Sequence, residues 1–139
     1  MFAERITILE CIRDARLLIL CLSFCLLTAC SNSSRDLARE SRLWTGGGNA
    51  HAGAIEIRKY GCSTCHTIPG VPGARGLVGP PLTGIANRSY IAGELPNTPA
   101  NLMHWIQHPH SVEAHTVMPE MDVTDGDSRD IAAYLYTLR

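Results

Sequence analysis

The pentapeptide Cys62-Ser63-Thr64-Cys65-His66 carries the strongest signal in the sequence. Two thiols three residues apart can bond to the two vinyl groups of a porphyrin, and a turn of helix then carries the following histidine to the iron. This spacing indicates an attachment site for one c-type haem. A redox disulfide or half of a zinc site would use the same cysteine pair. Both are disfavoured because no second pair follows and the histidine is adjacent.

The first thirty residues predict export from the cytoplasm. Arg13 and Arg16 precede an apolar run over residues 17–27, which is too short to span a bilayer, and the run ends at Ala29 and Cys30. Residues 1–29 are therefore interpreted as a signal peptide of the lipoprotein type. Cys30 is predicted to carry lipid and to tether the protein to a membrane on its periplasmic side. The alternative is an ordinary cleaved signal in which Cys30 has no role.

Charge and length limit what the exported chain can be. Residues 1–29 contain three acidic and three basic residues, so the remaining 110 residues keep the net charge of −1 of the full chain. This balance argues against a nucleic-acid partner. The length suits one domain with one core. Residues 30–49 are rich in Ser, Arg and Gly and are predicted to form a flexible tether, which leaves residues 50–139 as the domain.

The periodicity after the tether predicts an all-α domain with long loops. A first helix is expected over residues 50–61. A second begins after Thr98 and ends at Pro109, and a third is capped by Thr124. Residues 69–97 are dominated by Gly, Pro and short polar residues, which predicts irregular loop. A bound cofactor explains so much loop in a small domain.

From about Ala50 to Arg139 the sequence resembles the class I, His/Met-ligated, monohaem cytochromes c in their bacterial lipoprotein form. The run Gly79-Pro80-Pro81-Leu82 matches the family's Gly-Pro-x-Leu run, and Arg88 follows that leucine by six residues. A helix of the form Leu-x-x-aromatic ends in a proline nine residues before a methionine. The matching residues are Leu102, Trp105, Pro109 and Met118, with Thr116 two positions before the methionine.

The resemblance implies the small cytochrome c fold, in which three or more short helices and long loops surround the haem, and it implies a role for each matched residue. Pro80 would accept a hydrogen bond from His66 through its backbone carbonyl. Arg88 and Thr116 would contact the haem propionates, and Trp105 would lie against the ring. The axial ligands of the iron would be His66 and Met118.

Two features leave the sixth ligand open. Met121 stands three residues after Met118, and His115 or His110 would give a bis-histidine site. His51, His104 and His108 are expected to be surface residues. The chain also departs from the family, since Trp replaces the more usual Tyr at Trp105 and a second proline follows Pro80.

These residues predict a one-electron carrier of the bacterial cell envelope rather than an enzyme. A thioether and an imidazole saturate the iron, so no position remains for a substrate. The expected partners are redox proteins of a respiratory chain: a quinol-oxidising complex, a terminal oxidase or a dehydrogenase. The alternatives are a haem subunit or docking module of a larger complex, and a gas-binding or peroxidatic protein. Acidic residues between Glu113 and Asp130 would either guide a basic partner or only be solvated.

Overall fold

The computed structural model describes residues 33–139. The predicted signal peptide and Cys30 lie outside the described residues, and both stay predictions. The chain divides into two compact units, residues 1–36 and Leu37–Arg139. The second unit contains every candidate residue of the haem site.

The first helix of the described residues was not expected. Residues 33–44 are helical (α1), which differs from the flexible tether that the sequence predicts over residues 30–49. Ser41 is 3% exposed. The ring of Trp44 lies 5.8 Å from that of Tyr136 in an edge-on contact. Polar composition suggested a tether, but the helix packs against the far end of the chain, which local sequence does not reveal.

Two of the remaining helices begin at the predicted caps. They are α2 (Ala50–Lys59), α3 (Cys62–Cys65), a 3-10 turn (Ile85–Asn87), α4 (Pro99–Gln107), α5 (Pro109–Val112) and α6 (Asp125–Leu135). The hydroxyl of Thr98 accepts from the amide of Asn101, and that of Thr124 accepts from the amide of Asp127. Both predicted helix starts are confirmed. The one-turn helix α5 was not predicted, because Pro109 was taken only as a terminator.

A small sheet corrects the all-α prediction. Strands β1 (Tyr90–Ile91) and β2 (Leu95–Pro96) pair antiparallel, so the described unit is mostly helical with one two-stranded sheet. The turn between them uses positive φ angles at Ala92 (54°) and Gly93 (79°). Strands of two residues are too short to show the alternation that marks a strand in sequence.

Helices α2 and α6 cross closely, and this contact positions the cysteine run. A Cβ on Gly53 would lie 2.0 Å from the carbonyl oxygen of Asp130, so only glycine permits the approach. Ile57 and Ile131 are buried in the same core. At the end of α2 the hydroxyl of Tyr60 donates to Asp127 at 2.6 Å. The start of α3, two residues later, is thereby fixed to the last helix.

Candidate functional site

The cysteine run forms the short helix α3, and the chain around it is held in a specific backbone geometry. Gly61, which precedes the helix, has a φ of 74°, a region that favours glycine. The amide of His66 donates to the carbonyl of Cys62 at 3.0 Å and closes the turn. Cys62 and Cys65 are both free thiols. Burial raises the pKa of the Cys62 thiol, so this group is protonated at neutral pH.

The imidazole of His66 is oriented by the loop that follows. Its Nδ1 lies 2.8 Å from the carbonyl oxygen of Pro80. A carbonyl can only accept, so Nδ1 carries a proton, and in the neutral tautomer that this bond selects Nε2 holds the lone pair that can ligate a metal. A Cβ at Gly79 would lie 2.3 Å from Cε1 of the ring, so this position must be glycine for the ring to sit there. The structure thus brings together the pair of atoms named from the sequence resemblance.

The residues assigned to the haem site by the family resemblance all border one cavity of about 480 Å³, and so does the alternative ligand Met121. The predicted residues in its lining are Cys62, Cys65, His66, Pro80, Arg88, Trp105, Thr116, Met118 and Met121. They come from α3, the loop after it, α4 and the segment before α6. The residues added by the structure, which the sequence analysis had not proposed for the site, include Tyr60, Val78, Leu82, Ile85, Tyr90, Ile91 and Val117. Their apolar character was visible in the sequence, but nothing local assigned them to the cavity.

The two candidate methionines differ in their surroundings. Met121 packs against the buried core cluster, and Met118 is not among the residues that do so in the described part of the chain. The amide of Met118 donates to the hydroxyl of Thr116 at 3.2 Å. Thr116 therefore supports the backbone next to Met118. Both sulfur-bearing side chains face the same cavity, and Met121 has a packing role that Met118 lacks.

Arg88 is tied to the loop that presents Pro80. Its guanidinium donates to the carbonyl of Pro81, with a longer contact of 3.4 Å to the carbonyl of Thr83. The side chain of Asn97 donates to the carbonyl of Arg88 at 2.9 Å and accepts from the hydroxyl of Tyr136 at the same distance. The sequence gives no sign of this role for Asn97, because its partners Arg88 and Tyr136 are 9 and 39 residues away.

The other histidines do not reach the cavity. His51, His104, His108, His110 and His115 are exposed and are absent from the lining of the cavity. The geometry therefore does not bring His110 or His115 to the position needed for a bis-histidine site. Among the described residues no cluster of three or more His, Cys, Asp or Glu side chains is arranged to hold a metal ion. In the same part of the chain no helix is long and apolar enough to cross a membrane.

Comparison with known proteins gives one informative similarity. The chain is 34% identical over 91 residues to cytochrome c oxidase subunit 2 of Alkalihalophilus pseudofirmus, which covers 65% of this chain and 26% of the relative. A continuous stretch of 65% of the chain includes residues 50–90 wherever it begins, so the aligned segment contains the cysteine run. No known family profile and no solved structure matches the chain. The chain spans about a quarter of the length of this relative.

Proposed function

We propose that this protein is a one-electron carrier that binds a single c-type haem covalently and serves a respiratory chain. The observation that carries the proposal is the cavity itself. Two free thiols, an imidazole oriented by the bond from its Nδ1 to Pro80, and two thioethers border the same space. This is a donor set for two thioether bonds and two axial ligands, and the small cytochrome c fold is part of the same proposal.

The residues present fit a haem. The cavity volume of about 480 Å³ falls within the range of roughly 300–1,000 Å³ that is usual for ligand and cofactor pockets. Most of the added lining residues are apolar, which suits a porphyrin face. Cys62 and Cys65 would hold the group, His66 would ligate through Nε2, and Met118 would supply the second axial ligand. Met118 is preferred to Met121 because Met121 is already engaged in the core.

When bound at this site, the haem would supply reversible uptake of one electron. The residues of the chain set how readily that happens. The carbonyl of Pro80 accepts from Nδ1 of His66 and so strengthens the imidazole as a donor. A methionine thioether favours the reduced iron, and an apolar lining disfavours the extra positive charge of the oxidised form. Two strong ligands leave no position for a substrate, which favours a carrier over an enzyme.

A second candidate is a haem-bearing module of a terminal oxidase. It is favoured by the similarity to an oxidase subunit, because the aligned segment is about a quarter of that protein and is of domain size. In this role the chain would relay electrons inside a complex instead of diffusing between partners. Co-purification separates the two: stable recovery with oxidase subunits favours the module, and recovery alone favours the carrier.

The predicted lipid on Cys30 would keep either form at a membrane and facing the periplasm, close to quinol-oxidising complexes, dehydrogenases or oxidases. Cys30→Ser tests this directly. Without the anchor the protein should be released from membranes by a high-salt wash, since two or more acyl chains would supply the stable attachment and one chain would be marginal. Retention of the variant after the wash would exclude lipidation as the cause.

Optical spectra of the purified protein in both redox states test the carrier proposal. A low-spin haem with a weak far-red band in the ferric state is expected for His/Met ligation. The ferrous protein should bind carbon monoxide poorly, because the gas must displace an intramolecular sulfur. Fast, stoichiometric binding of carbon monoxide or substantial peroxide turnover would favour the gas-binding or peroxidatic alternative.

A further inference from the structure

We infer that α1 is a contact surface for anionic lipid headgroups, formed by Arg39, Arg42 and Leu43, with Trp44 at its edge beside the domain. This surface is called the α1 contact face. The inference rests on the proposed lipidation of Cys30, which would place α1 next to a membrane. It adds a defined orientation to a protein that would otherwise only be tethered.

Two apolar side chains near the end of α1 are exposed. Leu43 is 74% exposed and Trp44 is 59% exposed, although both lie on a helix that packs on the domain. Trp44 is also held in place by its edge-on contact with Tyr136, with the ring planes at 61°. A partly exposed Trp with a fixed ring is typical of side chains at the water–lipid boundary, where the apolar body and the polar N–H are both satisfied.

The charged side chains of α1 favour contact with an anionic surface. Arg39 and Arg42 are exposed, and with Leu43 they are three and four residues apart, which places them on one side of the helix. Of the acidic side chains of α1, Glu40 pairs with Arg139 at 2.7 Å, and the charge of the exposed Asp36 is offset by that of the exposed Arg35 beside it. The sign of the α1 contact face is therefore positive in a chain whose net charge is −1. Positive charge flanked by exposed apolar side chains is complementary to an anionic bilayer surface.

The α1 contact face is close in the sequence to the predicted lipid anchor at Cys30. Arg39 is nine residues from Cys30. Residues 33–39 are helical and span about 9 Å, and the three steps of chain from Cys30 to residue 33 can add at most about 11 Å. This length keeps α1 within reach of the headgroup layer to which a lipidated Cys30 would be fixed. The α1 contact face can therefore engage lipid without unfolding of the domain.

Arginine footprinting on the full chain tests this contact. The protein is reconstituted in vesicles of phosphatidylcholine with phosphatidylglycerol, or of phosphatidylcholine alone, treated with phenylglyoxal and read by mass spectrometry. Arg39 and Arg42 should react about fivefold more slowly on the anionic vesicles, the gain expected for a basic residue at such a surface. Arg75 and Arg129, which are exposed elsewhere, should react equally in both. Equal rates at Arg39 and Arg42 in the two vesicles would overturn the inference.

A pair of matched variants tests the apolar part. Leu43→Ser should reduce the protection of Arg39 and Arg42, whereas Leu77→Ser, at a position 89% exposed in the loop after the cysteine run, should not. Unchanged protection in Leu43→Ser, or the same loss in both variants, contradicts a role for Leu43. The readout needs neither haem nor electron transfer, so a failure here is distinct from a failure of the carrier proposal. Loss of the anchor is seen separately, as release of the protein by salt.

Discussion

The two walls of the cavity are built differently. On the His66 wall, backbone hydrogen bonds join the loop to the cysteine run: the amide of Gly79 donates to Cys65 at 2.8 Å and that of Leu82 donates to Thr67 at 2.8 Å. On the Met118 wall, the amide of Met118 donates to Thr116 and the amide of Thr116 donates to Glu113, at 3.2 and 3.1 Å. The first wall is cross-linked over many residues, and the second is held locally.

This difference predicts how each wall responds to change. Bonds that join distant residues hold His66 in one orientation before any cofactor arrives, which reduces the ordering needed on binding. Met118 lies in a segment held by neighbours two and three positions back, so its position depends more on the bond it makes to the iron. Damage to the His66 wall should therefore affect the whole domain, and damage to the Met118 wall should affect mainly the ligand.

The largest expected effect is loss of the covalent attachment on the His66 wall. Replacing both cysteines, as in Cys62→Ala/Cys65→Ala, removes the two thioether bonds and should give a protein without attached haem. Denatured wild-type protein should keep the haem, and its intact mass should exceed that of the polypeptide by one haem. Extraction of the haem from wild-type protein into acidified organic solvent would contradict covalent attachment.

A smaller but still global effect is expected at Gly79. In Gly79→Ala the new Cβ would lie 2.3 Å from the imidazole of His66, so the ring must move and its bond to Pro80 must weaken. Overpacking of this kind costs about 1–3 kcal/mol of unfolding free energy, measured from denaturant midpoints. The reduction potential should also shift, which a purely structural defect remote from the ligand would not cause.

Gly126→Ala is the matched control for Gly79→Ala. The nearest atom to a Cβ there is 4.0 Å away, and the position lies inside α6, where alanine is favoured over glycine. It should be neutral or slightly stabilising and leave the potential unchanged. Equal effects of the two variants would show that His66 is not held by the close approach of Gly79.

Variants of Met118 and Met121 test which residue on the Met118 wall is the ligand. Met118→Ala should abolish the far-red band and lower the potential with little loss of stability. Met121→Ala should keep the band but destabilise the fold by about 2 kcal/mol, because its side chain packs against the core. Ferric spectra and denaturant titrations measure the two effects separately. The reverse pattern would make Met121 the ligand, and retention of the band in both variants would favour histidine.

The parts of the fold that sequence could predict are those with local chemistry. Thr98 and Thr124 predict the starts of α4 and α6, because a capping hydroxyl accepts a hydrogen bond from a backbone amide three residues later. The cysteine run could be named because its spacing is fixed by the bonds that it is proposed to make, whereas Pro80 and Met118 were implied by the resemblance of the motifs around them. The structure places them around one cavity, while haem binding itself stays a prediction.

The parts that sequence could not predict depend on distant partners. The sequence of helix α1 suggests a tether, because the partner of Trp44 is Tyr136, which lies 92 residues further along the chain. Asn97 looks like an ordinary loop residue, yet its amide joins the Arg88 segment to the end of the chain. The hairpin of Tyr90–Ile91 and Leu95–Pro96 is too short for any period. For α1 and Asn97 the stabilising partners are distant in the sequence, and the hairpin is local but too short to leave a pattern.

The acidic residues beyond Glu113 give the smallest expected effect, since some of them already have structural partners. Asp125 accepts from Gln107 at 2.7 Å, and Asp130 accepts from the amide of Asn49 at 2.8 Å. The hydrogen bond from Tyr60 lowers the pKa of Asp127, so that residue is also engaged. Asp122 is exposed and has a φ of 51°, which asparagine also adopts readily. It is therefore the cleanest place to remove one charge.

Suppose that these charges guide docking on the Met118 wall. Asp122→Asn should then slow electron exchange with a basic redox protein about twofold at low salt. The difference between the two proteins should disappear above about 0.1 M ionic strength, because salt screens the charges. Glu94→Gln, an exposed position outside the acidic stretch, removes the same charge and should have less effect. Stopped-flow rates at several ionic strengths measure both. A rate independent of salt, or equal slowing by the two variants, would show that the acidic stretch is only a solvated surface and would leave the ligand assignments unaffected.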